Sequence, residues 1–246
     1  MAPHVLAALV IRVSPSRVRC RASTARSLVR RQFGVPLPAG DWKTDVYPGD
    51  SAPIIRRAHS GPAGRAGEPG QREAVLARFG LIPWFAKSEK LAYSTMNART
   101  ETVATTASYR RPFRQRQWCI VPAQRFFEPY YDLDAWNAGM RKSQRHAIAR
   151  ADAEPLGIAD LWESWQRSAQ DPDPLVSFTL LTLNADAHPL LQRFHKPFNE
   201  AGQPNEKRTI VLLRESDFEA WLGTSPAEAP RFFGTFEAHE LVAGPA

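Results

Sequence analysis

Three polar residues spread along this 246-residue chain can move protons or hold a polar substrate. The stretch STMNARTET sets Asn97, Arg99 and Glu101 on alternate positions just after the aromatic-rich FGLIPWF. Glu128 closes RFFE, and a carboxylate behind so dense an apolar run acquires a raised pKa suited to proton transfer. His195 follows in RFHKPFNEAGQPNEKR, ahead of a Pro-interrupted loop. Amide, carboxylate and imidazole together are the equipment of general acid–base chemistry. Each also has a structural reading. Asn97 or Thr100 can cap a helix with Glu101 in its first turn, Glu128 can be a rim residue, and His195 can cap a helix C-terminus.

The remaining reactive groups narrow the field. His188 and His195, seven apart, can share a helical face, but a pair without a third ligand is no zinc site. No metal and no cofactor is expected. Cys20 and Cys119 are too few for a disulfide framework, which points to a reducing, cytoplasmic setting. Cys119, in WCIVP, reads as a small hydrophobe in a buried strand. Cys20 stands among arginines, which favour a thiolate.

Charge and aromatic residues bear on partners. The excess of +7 resembles a nucleic-acid footprint, yet residues 1–40 carry seven Arg, no Lys and no acid, and from Asp41 onward 25 basic residues balance 25 acidic ones. ASYRRPFRQRQW interleaves Arg110, Arg111, Arg114 and Arg116 with Tyr109, Phe113 and Trp118, a pattern suited to phosphates and bases or to a solvated face. Trp84, Phe85, Trp162 and Trp165 are core residues or stacking surfaces. No run of about 18 apolar residues exists to span a membrane.

The elements that must position these groups are mostly strands. APIIRR, AVLARFGLIPWF, WCIVPAQRFFEPYY, RHAIARAD, LGIADLWESW, VSFTLLTLNA and KRTIVLLR alternate or run apolar as strands do. STARSLVRRQFGV reads as a helix stopping at Gly34, TETVATTASYRR as a second, and AHPLLQRFH and SDFEAWLGT as short ones, the last with a Ser216/Glu219 capping box. AHSGPAGRAGEPGQRE is a loop. The expected fold is α+β, a single compact sheet-rich domain over residues 25–246 with short flanking helices. Residues 1–24 are expected to form a basic segment outside it, with residues 1 to about 19 unpacked: a disordered tail, a start set too far upstream, or an organelle transit peptide.

The order of VYPGDSAPII, RFGLIPWFA, NARTET, WCIVPAQRFFEP, GIADLWESW, FTLLTLNADAHPLLQRFHKP and DFEAWL over residues 27–223 resembles the SOS response-associated peptidase family, the abasic site processing proteins. The resemblance implies a groove for single-stranded DNA containing abasic sites, a monomer at the nucleoid, and a covalent link to the abasic sugar. In that family a cysteine following the initiator Met supplies an amine and a thiol that close a thiazolidine on the sugar aldehyde. Removal of the Met is the self-directed peptidase step. Carried over, Asn97 positions the sugar, Glu128 handles the amine proton, His195 helps open the ring, and Arg99 binds phosphate. Phe85, Trp84, Pro48 and Thr182 fall on the DNA side.

One position departs from the pattern. Residue 2 is Ala2, and Cys20, which lies near where the family cysteine is expected relative to the first helix, is internal and has no free α-amine. Two other classes therefore compete: a member that binds single-stranded DNA without crosslinking, and a small-molecule hydrolase using Glu128 and His195.

Overall fold

The strand-forming runs close on one another. The computed structural model describes residues 9–12, 20–22, 26–38, 40–60, 65–66, 71–168 and 173–246. In chain order these form β1 (Leu9–Arg12), β2 (Cys20–Ala22), α1 (Arg26–Phe33), β3 (Asp45–Val46), β4 (Ser51–Arg57), β5 (His59–Ser60), β6 (Arg65–Ala66) and β7 (Arg72–Phe79). Then come β8 (Asn97–Arg99), α2 (Arg110–Arg114), β9 (Trp118–Tyr130), α3 (Leu133–Asn137), β10 (Gln144–Arg150), β11 (Leu156–Trp165) and β12 (Leu175–Asn184). The chain ends with β13 (Arg208–Ile210), β14 (Leu212–Leu213), α4 (Phe218–Gly223) and β15 (Leu241–Pro245).

Five strands close a barrel. β9 pairs antiparallel with β11, β11 with β12, β7 with β4 and β4 with β9, while β12 and β7 run parallel. The period of two sorts the side chains. Ile54, Phe79, Cys119, Val121, Ile158, Trp162, Phe178 and Leu180 belong to one core cluster. Ile55, Ile120, Ala159 and Leu161 belong to a second, where Phe33 of α1 and Phe218 and Trp221 of α4 cover the outside of the barrel. Phe33 stacks on Phe218 at 4.7 Å, and Trp221 Nε1 donates to Cys119 O at 2.9 Å. Each such side chain, fully buried, contributes roughly 1.5–3 kcal/mol.

The barrel strands outrun the barrel, and the overhangs make the site. Beyond its β7 contacts, β12 takes β8 as a parallel neighbour and β13 as an antiparallel one. Beyond β11, β9 pairs with β10, so Glu128 lies opposite His146.

Several expectations are corrected. The strand through AVLARFGLIPWF stops at Phe79, because Gly80 turns the chain at φ +101 with no room for a side chain: a Cβ there would lie 2.2 Å from Ala92 O. TETVATTASYRR is a run of turns that becomes helical only at Arg110, its Thr105 and Thr106 hydroxyls bonding back to Thr102 O as threonines do in competition with a helix. KRTIVLLR is split into β13 and β14, and AHPLLQRFH contains only a 3₁₀ turn at Leu191–Arg193. The Ser216/Glu219 box does not form, since Glu219 instead binds Arg57 and Arg72; a capping box forms at Glu237 and Glu240. The basic segment is not wholly apart: β2 runs antiparallel to β9 with Cys20 opposite Phe126, and β1 runs parallel to β9. The rest of residues 1–19 lies outside the described residues.

Candidate functional site

The alternation in NARTET has a direct geometric result. Asn97 and Arg99 lie on β8 on one side of Ala98, which points into the outer core, and Glu101 continues that side into the following turn. Asn97 and Arg99 meet a cleft of about 640 Å³ whose lining also includes Tyr93, Thr182, His195 and Arg208. Tyr109 Oη donates to Asn97 O and fixes the strand, while the buried Asn97 Oδ1 has no protein hydrogen-bond partner.

His195 reaches the cleft from a strained backbone, with φ +66. Its N–H donates to Pro129 O at 2.7 Å at the end of β9, and Lys207 Nζ donates to its carbonyl at 3.3 Å. The ring Nε2 lies 2.8 Å from Arg208 O, and because a carbonyl only accepts, Nε2 carries the proton. The same nitrogen is 3.4 Å from Glu128 Oε2. Burial pushes the imidazole pKa down to about 4, opposed by the Arg208 carbonyl and assisted by the Lys207 charge. The contact with Glu128 is thus that of a neutral imidazole near neutral pH rather than an ion pair. Glu128 is 1% exposed and sits behind His195 rather than on the cleft surface.

The cleft's arginines are already engaged. Arg208, at the start of β13, donates bidentately to Glu101 at 2.8 and 2.9 Å, and its Nη2 donates to Thr182 O at 2.7 Å. Glu206 bridges Arg208 at 2.7 Å and Arg99 at 2.8 Å. The hydrogen bond from Arg208 holds Glu101 ionised below the usual carboxylate range. Partial burial works against ionisation of Glu206, but its bonds from Arg208 and Arg99 prevail and lower its pKa.

Other expected site residues fall elsewhere. Trp84 and Phe85 are 58% and 43% exposed and meet edge to face at 5.9 Å, with the Arg111 guanidinium 5.6 Å from the Trp84 ring, but neither lines the cleft. Pro48 does not line the cleft either, although the next residue, Gly49, packs against the Tyr93 ring. Trp162 and Trp165 are core residues. The Arg110–Arg116 stretch is not a stacking surface, because Tyr109, Phe113 and Trp118 are buried and Arg116 binds the carbonyls of Gly223 and Thr224. His188 does not share a helix face with His195; its Nδ1 accepts the Leu190 and Leu191 N–H groups in a turn. Burial raises the Cys119 thiol pKa and leaves it inert. Cys20 enters only by backbone register, two residues along β9 from Glu128.

Sequence reading missed Arg208, Glu206, Lys207 and Tyr93. A usable signal was present for the first: NEKR crowds charge immediately before an apolar strand, where a basic side chain has a place only at the strand mouth.

Residues 17–245 match the model of the SOS response associated peptidase family. The chain is 36% identical over 194 residues to the abasic site processing protein YobE of Bacillus subtilis, covering 78% of this chain and 74% of that protein. It is 27% identical over 218 residues to the abasic site processing protein YoqW of the same organism, covering 86% and 84%. An X-ray structure of a protein from Bordetella bronchiseptica, 31% identical, aligns with a TM-score of 0.75 over 93% of this chain and 98% of that one. One from Bacteroides thetaiotaomicron, at 19% identity, shares the fold with a TM-score of 0.66 over 89% and 87%.

Proposed function

Because the chain belongs to the SOS response associated peptidase family, we propose that its cleft processes abasic sites in single-stranded DNA by covalent capture of the open sugar. The observation that carries this reading is the buried Glu128–His195 contact behind a cleft edged by Asn97, Arg99 and Arg208. A solvated rim would not keep an acid and an imidazole together out of water.

The chemistry then divides among these groups. Hydrolysis of the Arg19–Cys20 bond adds one water and frees the Cys20 amine. That amine attacks the sugar aldehyde. Glu128 takes the ammonium proton and the carbinolamine hydroxyl leaves as water, giving an imine; addition of the Cys20 thiol across C=N closes a thiazolidine with no further loss. Asn97 Oδ1, a buried acceptor, orients the sugar. His195, neutral with Nε2 protonated, offers a hydrogen bond and a proton relay to Glu128 rather than a standing imidazolium. Arg99 and Arg208 take the flanking phosphates in place of Glu206.

The test is a denaturing gel shift with single-stranded DNA carrying one abasic site. A version beginning at Cys20 should form a heat-stable adduct with abasic but not intact DNA, and chain left uncut between Arg19 and Cys20 should not. If both versions bind the DNA and neither crosslinks, even with trapping by borohydride, the covalent reading is wrong and non-covalent binding remains.

A further inference from the structure

The loop between His195 and Arg208 builds a second cleft beside the first. It is pinned on itself: Asn199 Oδ1 accepts the Ala201 and Gln203 N–H groups at 3.0 Å, Asn205 N donates to Pro197 O at 2.9 Å, and Lys207 Nζ donates to Lys196 O at 2.7 Å. Opposite it stands α3, whose Asp132 cap accepts the Ala135 N–H at 2.8 Å. Between them lies a cavity of about 700 Å³, the size of a ligand pocket. Lys196 and Asn205 line both clefts, so the two adjoin.

The walls of the second cleft suit a base and its phosphate. Phe198 is 36% exposed. The Arg141 guanidinium lies 4.2 Å from the Trp136 ring centroid and donates to Trp136 O, so that aromatic and guanidinium surfaces are held ready. Flat faces of this kind stack bases without regard to sequence. Arg141 and Lys196 oppose one lining carboxylate, Glu200. Tyr131 lines the first cleft and meets Trp136 edge to face at 5.4 Å, joining the two. We propose that this cleft is a subsite for a nucleotide flanking the abasic position, so that the Lys196–Lys207 loop and α3 extend the DNA track on one side of it. The proposal rests on the DNA reading above and adds the direction and length of the strand bound.

The experiment measures binding by fluorescence anisotropy, using the full chain and oligonucleotides with a non-reactive tetrahydrofuran abasic analogue. A short core oligonucleotide is compared with versions lengthened by three nucleotides on the 5′ or the 3′ side. For the unaltered chain, lengthening on one side tightens binding about tenfold, the order of a single base stack. Trp136→Ala and the surface change Arg141→Gln each abolish that gain and leave core affinity within twofold. The proposal is overturned if neither extension tightens binding, or if the variants weaken core and lengthened DNA equally. No binding of any oligonucleotide by the unaltered chain rejects the underlying DNA reading as well, which separates the two failures.

Discussion

His195 Nε2 lies 3.4 Å from Glu128 Oε2 and 2.8 Å from Arg208 O, so one buried imidazole ties the end of β9 to the start of β13. The two strands are joined by some eighty residues of chain, and neither alone makes a site. Burial holds that imidazole neutral near neutral pH.

The direction of that shift makes stability depend on pH. His195 titrates near 6.5 when unfolded and at about 4 when folded, so between these values the unfolded chain binds the extra proton. Stability falls as pH drops from 6.5 to 4, by up to about 3 kcal/mol from this group. Denaturant midpoints of the chain and of His195→Asn, compared at pH 7 and 4.5, should converge at the lower pH. Parallel losses would place the acid sensitivity elsewhere.

Glu206 supplies a second prediction. Its carboxylate bridges Arg99 and Arg208, where a phosphate would sit. Glu206→Gln should tighten single-stranded DNA binding several-fold at low salt and steepen its salt dependence by about 0.7 per phosphate gained, and Arg99→Ala should flatten it. Titrations at several salt concentrations check both. Unchanged slopes would mean that these arginines serve only the ion-pair network.

Asp160 gives a third. It is fully buried between Cys119 and Leu180 in register, and burial raises its pKa well above the usual range despite a backbone hydrogen bond from Leu181. Its stabilising contribution is complete below pH 3.8 and is lost as pH rises towards the folded pKa. Asp160→Asn should therefore raise the melting temperature at pH 8 relative to the unaltered chain and leave it nearly equal at pH 3.5. A lower melting temperature at pH 8 would mean that the carboxylate is ionised and paired.

Much of this was legible beforehand. Barrel strands β4, β9, β11 and β12 announced themselves because half or more of their residues are apolar. The grouping of Asn97, Glu128 and His195 was expected from motif order alone, since no periodicity brings together the Glu128–His195 pair or sets Asn97 and His195 on one cleft. The turns after Arg99 were not, because threonine hydroxyls competing for backbone carbonyls decide against a helix that composition permits. Nor was the fate of Tyr109, Phe113 and Trp118, as an aromatic residue between arginines reads alike whether it stacks on a base or fills a core. Arg208 was hidden because its role depends on carboxylates brought from Glu101, 107 residues away, and from Glu206.

Gly80 connects that fold to the site. Its φ of +101 and the 2.2 Å approach of Ala92 O to any Cβ leave no room for alanine. Gly80→Ala should cost about 3 kcal/mol and displace the 3₁₀ turn Glu89–Ser94, which carries Tyr93 to the cleft. Thermal unfolding measures the first effect, and weakened DNA binding at a temperature where the variant is folded measures the second. A variant of unaltered stability would show that the turn yields freely.

The covalent step is the heart of the account, and the intact mass of the adduct tests it most directly. The version beginning at Cys20, mixed with abasic single-stranded DNA, should give a product equal to the sum of the two less one water. That mass should be unchanged by borohydride, because a closed thiazolidine has no C=N bond to reduce. Cys20→Ser should give an adduct only when borohydride is present, and Glu128→Gln should slow formation by about 10²-fold or more. An adduct that survives Cys20→Ser without borohydride, or the absence of any adduct from the Cys20 version, would contradict the assignment.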